Sequence, residues 1–485
     1  MSTKIITLGL DGLNPELIEK WLDDLPHLKA MQQEGIWGEI ESTVPPVTPP
    51  AWTCVQSSRN PGAFGFWDFR FRDDYSYGQP KLISSKTKDE RVDSLYKLLP
   101  LFGQKVAIIN LPVSWPPPRI PGGYSISCFM TPTIDADFTS PISLKNEVYQ
   151  VVGEYILDVK IDYRQIKEDK LLKRAYEMDS QRFALLEYFY CKKQCDCVFT
   201  VAMGLDRVSH FFCRHFDEND ERYDSDLGYN TVVHDYYIWI DEQIGKILNV
   251  IDDKTVFLVH SAYSVQKLNG RINLNEWLIQ EGYLVVHEYP SEPTPLARVK
   301  VDWSKTKAWA TGYSGQLYLN MKGREVEGTV DPDDYDILLD ELAKKLTQIV
   351  DEQGNVLKTQ VFKRKEIHSG PFAQYGPDLF VFFDDCRWNT SELVGYGLGS
   401  ICSSDIPLRP DDGAHGFRGY FCIVGAGIPP KGPYFGATIL DIAPTLLEIM
   451  DLEIPKQMEG KSILGRSKTA EDEKKLRYRL QILGY

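Results

Sequence analysis

Asp206 and His210, four positions apart, form the first pattern in this sequence that could do chemistry. They come directly after an apolar segment with the composition of a buried strand. On a helical turn, side chains at this spacing lie on one face, so this carboxylate and this imidazole can bind the same metal ion. Alone the pair is a weak signal, because many such pairs are solvated surface residues.

His415 is a third side chain that could bind metal. In the segment 413–416 it follows Ala414, and the two residues lie between Gly413 and Gly416. The segment is predicted to be a loop that leads into a strand. An isolated histidine is more often structural than a metal ligand, so this residue gains meaning only from its surroundings in the fold.

Thr48 is the candidate nucleophile, and it lies among four prolines in the segment 45–50. Proline fixes its own φ angle, so the threonine has little backbone freedom. A hydroxyl at the start of a helix would gain from nearby backbone N–H groups and could attack an electrophile. A proline-rich turn in which Thr48 only caps the helix explains the same pattern.

These residues need elements that bring them together, and the sequence predicts an α/β fold. Residues 4–10 are apolar throughout, as in a strand covered on both faces. Asp11 follows this strand, and Asn14 with Pro15 predicts the start of a helix. Further strands are predicted at 106–110, 197–203, 254–259, 378–383 and 420–425, and helices at 92–101, 165–192 and 230–250. This alternation indicates a largely parallel sheet, whose carboxyl edge is where such folds place their sites.

No linker divides the chain, so the sequence predicts a single domain over residues 1–465. Residues 112–165 are rich in proline, glycine and aromatic side chains, and are expected to form a cap over the carboxyl edge of the sheet. Residues 285–330 show alternating patterns and turn signals, which suggest a small antiparallel β addition. Residues 466–485 are predicted to be a C-terminal tail.

Ordered motifs along almost the whole chain resemble the alkaline phosphatase superfamily. The most similar branch is that of the type I phosphodiesterases and nucleotide pyrophosphatases, together with related predicted phosphohydrolases and phosphomutases. The resemblance implies a three-layer α/β sandwich with a largely parallel central sheet, flanking helices and cap insertions. The motifs that carry it are Leu8–Leu13, Thr48–Trp52, Asn60–Gly65, Phe129–Pro132, Asp206–His210, Gly270–Leu278, Leu319–Arg324, Gly376–Leu379, Gly413–His415, Asp441–Thr445 and Met458–Gly460.

The resemblance also implies roles for the candidate residues. In such enzymes an aspartate and two histidines hold one metal ion, usually zinc, and here these would be Asp206, His210 and His415. A second ion is held by an aspartate after the first strand, here Asp11, and by an Asp-His pair in a Ser-Asp-His-Gly motif. That ion also contacts the nucleophile, here Thr48. Two cations roughly 4 Å apart can stabilise the attacking and leaving oxygens of an in-line displacement.

The sequence departs from this pattern at the second metal ion. Alignment on the motif that begins at Gly270 places Ser261, Ala262 and Tyr263 where the serine, aspartate and histidine belong. Ala262 offers no carboxylate, and Tyr263 could bind metal only as a phenolate. His260 is expected to point away from Ser261, because side chains alternate along a strand. The expected cofactor is therefore one divalent metal ion, zinc or manganese, and the sequence supplies no clear ligand pair for a second.

The overall charge limits the class of partner. Lysine and arginine total 54 against 69 acidic residues, a net charge of −15. Such a surface repels nucleic acid polymers, whereas a small phosphorylated or otherwise anionic substrate remains compatible with a bound metal ion. No apolar run reaches the roughly 18 residues of a membrane span. The N-terminus lacks the pattern of a secretory signal, so a cytoplasmic location is expected.

Three functions are compatible with these observations. The first is hydrolysis or transfer of a phosphoric ester, of phosphodiester or pyrophosphate type, through Thr48 as nucleophile. The second is a repurposed one-metal enzyme of the same fold that catalyses a different transfer or rearrangement on a small molecule. The third is an inactive protein that binds a ligand or a partner. The sequence favours the first function.

Overall fold

The computed structural model describes residues 3–78, 80–159, 167–216, 223, 228–312, 314–397, 399–404 and 412–465. The predicted tail at 466–485 and positions 160–165 of the predicted cap lie outside these residues.

In chain order the strands are β1 Lys4–Leu10, β2 Ile36–Glu41, β3 Arg70–Phe71, β4 Lys81–Leu82, β5 Val106–Ile109, β6 Tyr124–Ile126, β7 Thr139–Ser140, β8 Cys197–Ala202, β9 Thr255–His260, β10 Ser264–Lys267, β11 Gly270–Asn273, β12 Thr294–Pro295, β13 Ala308–Thr311, β14 Gln316–Leu319, β15 Thr359–Lys363, β16 Leu379–Phe383, β17 Trp388–Ser391, β18 Leu393–Val394, β19 Cys402–Ser403, β20 Gly413–Gly416, β21 Arg418–Gly425, β22 Gly432–Pro433 and β23 Ala437–Thr438.

Helices connect these strands, and most of them are short. They are α1 Pro15–Trp21, α2 Pro26–Glu34, α3 Thr48–Ser57, α4 Pro61–Phe64, α5 Ser85–Arg91, α6 Leu95–Leu98, α7 Leu144–Val152, α8 Glu168–Glu187, α9 Gly204–Phe212, α10 Val232–Val250, α11 Leu274–Gln280, α12 Tyr335–Leu346, α13 Arg364–Ile367 and α14 Ile442–Ile449. Among the described residues, no helix has the length and apolar character needed to cross a membrane.

The main sheet has ten strands in the order β22-β2-β21-β9-β1-β8-β5-β6-β7, with β23 beside β2. Its central strands β9, β1, β8, β5 and β6 run parallel to one another, while β21 is antiparallel to both of its neighbours. Every residue of β5, β8 and β9 is buried, as expected for parallel strands covered on both faces. The predicted α/β fold, with a largely parallel sheet flanked by helices, is confirmed.

The register of the sheet aligns the ends of three strands at one edge. Leu10 in β1 lies opposite Ala202 in β8, and Gly9 lies opposite His260 in β9. The residues that follow these strands therefore emerge side by side: Asp11 after β1, the helix α9 after β8, and the segment 261–263 after β9. Because parallel strands place their carboxyl ends together, this edge collects the candidate site.

A second sheet of seven strands packs beside the first, in the order β13-β14-β16-β17-β11-β19 with β15 next to β16. It has its own apolar core, against which the helices α11 and α12 lie. The predicted β addition at 285–330 contributes β13 and β14 to this sheet, and the predicted strand at 378–383 becomes its member β16. Most of this sheet comes from outside the range 285–330, because strands distant along the chain pair with β14 and β11.

The predicted cap at 112–165 has two parts. Its first part supplies β6 and β7, which extend the main sheet at its edge. The loops around them and the segment that follows α7 face the candidate site instead. The predicted boundaries of the single domain and of its cap remain predictions.

Candidate active site

The helix α9 carries the first two candidate ligands, and its first turn is anchored by a buried carboxylate. Asp179 in α8 accepts hydrogen bonds from the backbone N–H groups of Met203, at 3.2 Å, and Gly204, at 3.0 Å. Burial raises the pKa of Asp179 to about 6, against the hydrogen bonds from Tyr236 and Gly204, which lower it. Because the orphan N–H groups at this helix end are bonded to Asp179, the position of Asp206 two residues later is fixed.

Asp206, His210 and His415 converge in space. The Oδ1 atom of Asp206 lies 3.5 Å from Nε2 of His210 and 3.3 Å from Nε2 of His415. All three ligand atoms lie within 4.8 Å of one another, and Asp206 is buried. The structure thus brings together three residues that the sequence could only connect by resemblance.

The imidazole of His415 is oriented by its other nitrogen. Nδ1 lies 2.9 Å from the carbonyl oxygen of Pro46, and a carbonyl only accepts hydrogen bonds, so Nδ1 carries the proton. Nε2 then keeps its lone pair and faces Asp206. A histidine held in this way by a backbone carbonyl is typical of metal ligands.

Strand β20 brings His415 to α9 through a close backbone approach. The N–H of Asp412 donates to the carbonyl of His210 at 2.7 Å. A Cβ atom on Gly413 would come within 2.8 Å of Cα of His210, which is closer than such contacts allow. The glycine beside the candidate ligand is therefore required by packing.

The second oxygen of Asp206 is held by Arg207. Nη1 of Arg207 donates to Oδ2 of Asp206 at 2.6 Å, while its Nε and Nη2 donate to the two oxygens of Asp158, each at 3.0 Å. Burial alone would raise the pKa of Asp206, but His210 and then the positive charge of Arg207 hold that pKa well below its usual range. The carboxylate is thus ionised, with Oδ1 directed at the two imidazoles. Nothing in the sequence pattern pointed to this role for Arg207 or Asp158.

We expect Asp158→Asn to weaken metal binding by about 10-fold to 100-fold, the usual cost of changing a residue that orients a ligand. The change removes a charge that aligns Arg207 and leaves the three ligands in place. Titration of the purified protein with Co²⁺ or Zn²⁺ would measure the affinity. Asp73→Asn is the matched control, because Asp73 forms an exposed ion pair with Lys81. Equal affinity in the wild-type protein and Asp158→Asn would contradict the positioning role.

Thr48 is the first residue of α3 and is almost fully buried. Its Oγ1 atom lies 2.7 Å from the hydroxyl oxygen of Tyr263, and the two groups share a hydrogen bond. The expected benefit from backbone N–H groups at this helix start is small, because Pro49 and Pro50 have none. The Tyr263 hydroxyl is therefore the polar contact of Thr48 that the structure defines.

Asp11 directly follows β1 and contacts Trp52 of the helix α3 that Thr48 begins. Its Oδ1 accepts a hydrogen bond of 2.7 Å from Nε1 of Trp52, and the hydroxyl of Tyr263 also interacts with this carboxylate and favours its charged form. Burial, and then the negative charge of Asp206, raise the pKa of Asp11 to about 7. Gly12 follows with a φ of +79°, and a Cβ atom there would lie 3.1 Å from Cα of Asp206. Glycine thus allows this turn to pack against α9.

The segment 261–263 supplies no second set of metal ligands. Ser261 Oγ donates to the carbonyl of Leu13 and accepts from the N–H of Tyr420. Ala262 and Tyr263 are fully buried, and burial raises the pKa of the Tyr263 phenol well above its usual value. Within the described part of the chain, the cluster of potential metal ligands consists of Asp206, His210 and His415 and does not include Asp11.

His260 lies on the other side of its strand from the site, as the alternation of side chains predicts. Its ring packs against Trp52, with the ring centroids 5.4 Å apart. Burial lowers its pKa to about 4, so the imidazole is neutral near pH 7. His260 therefore does not replace a missing ligand.

A cavity of about 740 Å³ opens beside the three candidate ligands. Thr48, Asp206, His210 and His415 lie at its base. The predicted cap forms much of its wall through Phe129–Ile134 and through Tyr155, Leu157 and Val159. The charged side chains of the wall are Glu154, Asp158, Arg174 and Arg207. The cavity is large enough for a small molecule and combines apolar walls with a polar base, as ligand sites generally do.

Comparison with known proteins agrees with this architecture. The sequence profile of the type I phosphodiesterase / nucleotide pyrophosphatase family matches residues 5–396. No curated protein sequence matches the chain. An inactive form of murine ectonucleotide pyrophosphatase / phosphodiesterase 5, solved in complex with AMP, has a TM-score of 0.54 and 11% identity, with 93% of this chain and 96% of that chain covered. Phosphonoacetate hydrolase from Sinorhizobium meliloti 1021, solved in complex with phosphonoacetate, has a TM-score of 0.60 and 12% identity, with 93% and 95% covered. At these identities the structural likeness establishes the fold.

Proposed function

The chain belongs to the type I phosphodiesterase / nucleotide pyrophosphatase family, and from this premise we propose that it is an enzyme that hydrolyses or transfers a phosphoric ester. One observation carries the proposal. The ligand atoms of Asp206, His210 and His415 lie within 4.8 Å of one another, and they share one cavity with the Thr48 hydroxyl. A bound cation and a nucleophile would thus meet the same substrate.

The three ligands fit one divalent metal ion. Two imidazole nitrogens and one carboxylate oxygen, with a position left open for substrate, form the usual ligand set of a catalytic zinc site. Within the described residues, the buried Oδ1 atom of Asp206 is without a hydrogen-bond partner, and a cation between it and the two imidazoles would neutralise its charge. We propose zinc as the resident ion, with manganese as the alternative. When bound, such an ion supplies a Lewis acid for a phosphoryl oxygen.

The remaining residues position the reacting groups. Thr48 is the proposed nucleophile: its oxygen would bond to phosphorus as the bond to the leaving oxygen breaks, and its proton would pass to the leaving oxygen. Water in hydrolysis, or an acceptor hydroxyl in transfer, would then bond to phosphorus and release Thr48 with its proton restored. Arg207, oriented by Asp158, holds the Asp206 carboxylate in place and adds positive charge to the cavity wall.

We propose that the substrate is a small phosphorylated or otherwise anionic molecule, of phosphodiester or pyrophosphate type. The murine neighbour was solved with AMP and the bacterial neighbour with phosphonoacetate, both of which are small anions. The cavity of about 740 Å³ accommodates molecules of this size. With a net charge of −15, the protein is a poor partner for nucleic acid polymers. The cytoplasmic location inferred from the sequence remains a prediction.

A second candidate function is a repurposed one-metal enzyme that catalyses another transfer or rearrangement on a small molecule. The observation that favours it is the Tyr263 side chain, which lies buried against Thr48 at the position that the resemblance gives to a second metal ligand. Fold alone does not fix the reaction, so both functions are tested by the same experiment.

The test combines metal analysis of the purified protein with hydrolysis of an aryl phosphodiester. We expect about one equivalent of zinc or manganese per chain and hydrolysis that a chelator abolishes. One equivalent without hydrolysis would favour the repurposed enzyme. Failure to bind either metal, even when it is supplied in excess, would overturn both and leave a binding protein.

A further inference from the structure

We propose that the side chain of Tyr263 takes the place of a second cation in this centre, with its hydroxyl holding Thr48 and its ring filling the space. This inference rests on the proposed function, because it treats Thr48 as the nucleophile. The resemblance implies a second ion that contacts Thr48 and is held by Asp11 and an Asp-His pair. In this chain the arrangement around Thr48 is different.

The residues present do not fit a second ion. Ala262 has no ligand atom, and the Ser261 hydroxyl is engaged with the backbone of Leu13 and Tyr420. Asp11 shares one of its oxygens with the indole N–H of Trp52. A divalent ion would be left with one carboxylate and neutral hydroxyl groups, which is a poor ligand set for zinc.

Tyr263 lies between Thr48 and the candidate metal ligand His415. Its hydroxyl oxygen lies 2.7 Å from Oγ1 of Thr48. Its ring stacks on the imidazole of His415, with the centroids 4.1 Å apart and the planes 20° from parallel. The whole side chain is fully buried. The ring therefore cannot rotate away without displacing His415, and the hydroxyl stays at a fixed point beside Thr48.

The backbone around Tyr263 supports this position. Strand β10 begins at the next residue and pairs with β20, so that Val265 lies opposite His415. The N–H of Val265 also donates to the carbonyl of Gly12 at 2.9 Å. Tyr263 is thus fixed relative to the turn after Asp11 and relative to the metal ligand His415.

A fixed hydrogen bond restricts the Thr48 hydroxyl to one rotamer. A second cation would also hold the hydroxyl oxygen in one position, so Tyr263 would supply this one of its effects. Tyr263 would act as a positioning residue, since it contacts the nucleophile and lies behind it. Its loss should therefore lower kcat more than it raises KM, because the interaction matters once the substrate is bound. Its presence should also limit the centre to one metal ion.

The first experiment compares Tyr263→Phe with Tyr190→Phe. Tyr190 is the matched control, because its hydroxyl shares a buried hydrogen bond of 2.9 Å with Thr255 at the opposite end of β9. Each variant keeps its ring and loses a Tyr–Thr hydrogen bond together with one further contact of the hydroxyl, with the N–H of Asp252 in Tyr190→Phe and with Asp11 in Tyr263→Phe. With an aryl phosphodiester as substrate, we expect kcat of Tyr263→Phe to fall about 10-fold with KM nearly unchanged, and both constants of Tyr190→Phe to stay as in the wild type.

The second experiment counts metal ions by equilibrium dialysis against Zn²⁺, which gives a readout that is independent of activity. We expect one ion per chain in the wild type and in Tyr263→Phe, because phenylalanine fills the same space. The double variant Ala262→Asp/Tyr263→His supplies the missing ligand types and is expected to bind two.

The outcomes separate this inference from the proposed function. One ion, measurable hydrolysis and an unchanged kcat in Tyr263→Phe would overturn the role of Tyr263 and leave the function standing. Two ions in the wild type, or one in the folded double variant, would overturn the replacement of the cation. A wild-type chain that neither binds Zn²⁺ nor hydrolyses the ester would overturn the function and the inference with it.

Discussion

Replacement of Thr48 by alanine is expected to lower kcat for an aryl phosphodiester by about 10³-fold or more, as loss of a nucleophile generally does. The reason is geometric. Thr48 is the hydroxyl at the base of the cavity that also contains Asp206, His210 and His415. Steady-state kinetics of the metal-loaded protein would measure the effect. Thr48→Ser keeps the hydroxyl and should retain most of the activity, with a loss of about 10-fold at most.

Thr53→Ala provides the matched control for this prediction. Thr53 lies in the same helix α3, is fully buried, and donates its hydroxyl to the carbonyl of Pro49 at 2.7 Å. Its replacement removes a buried threonine hydroxyl without touching the cavity, so kcat should be unchanged. If Thr48→Ala hydrolysed the ester as fast as the wild type, Thr48 would have no part in the reaction.

Asp206→Asn is expected to reduce metal affinity by more than about 100-fold and to abolish hydrolysis. Replacing a residue that only orients a ligand costs up to roughly 100-fold, and replacing the ligand itself should cost more. Asparagine has nearly the same shape, but it removes the one ionised oxygen that lies between the two imidazoles. The neutral amide would also lack the negative charge that strengthens the hydrogen bond of 2.6 Å from Arg207. Metal content after dialysis and the rate of ester hydrolysis measure the two effects separately.

Asp241→Asn is the control for Asp206→Asn. Asp241 is also buried, and it accepts hydrogen bonds from the backbone N–H groups of His27 and Leu28, away from the cavity. The substitution should affect stability alone and leave the metal content as in the wild type. If Asp206→Asn retained as much metal as the wild type, the ion would be bound elsewhere.

The parts of the fold that depend on local sequence could be predicted. Strand β1 follows from an unbroken apolar run, and its bounds Lys4–Leu10 are as expected. The helix start at Pro15 follows from Asn14, whose side chain accepts from the N–H of Glu16 as a helix cap should. The predicted helix at 92–101 is shorter, because Pro100 cannot continue an α-helix and a turn of 3-10 helix replaces its end.

The candidate site could be predicted only in part, since most of its contacts join residues far apart in sequence. The spacing of Asp206 and His210 is a local signal, but the approach of His415 depends on the pairing of β10 with β20. The hydrogen bond that Arg207 donates to Asp158 and the one that Thr48 and Tyr263 share correspond to no pattern in the sequence. The roles of Arg207, beside a candidate metal ligand, and of Tyr263 follow only from the residues that they contact.

The short strand β10 has a consequence for any attempt to engineer this protein. It is bonded to the turn after β1 through Val265, and to β20 along four residue pairs. A slip of a single residue in that pairing would turn His415 to the opposite face of the strand and withdraw an imidazole from the cluster. Inserting or deleting a residue between positions 261 and 268 should consequently be far more damaging than replacing one. Loops from active relatives should therefore be transplanted here only at equal length.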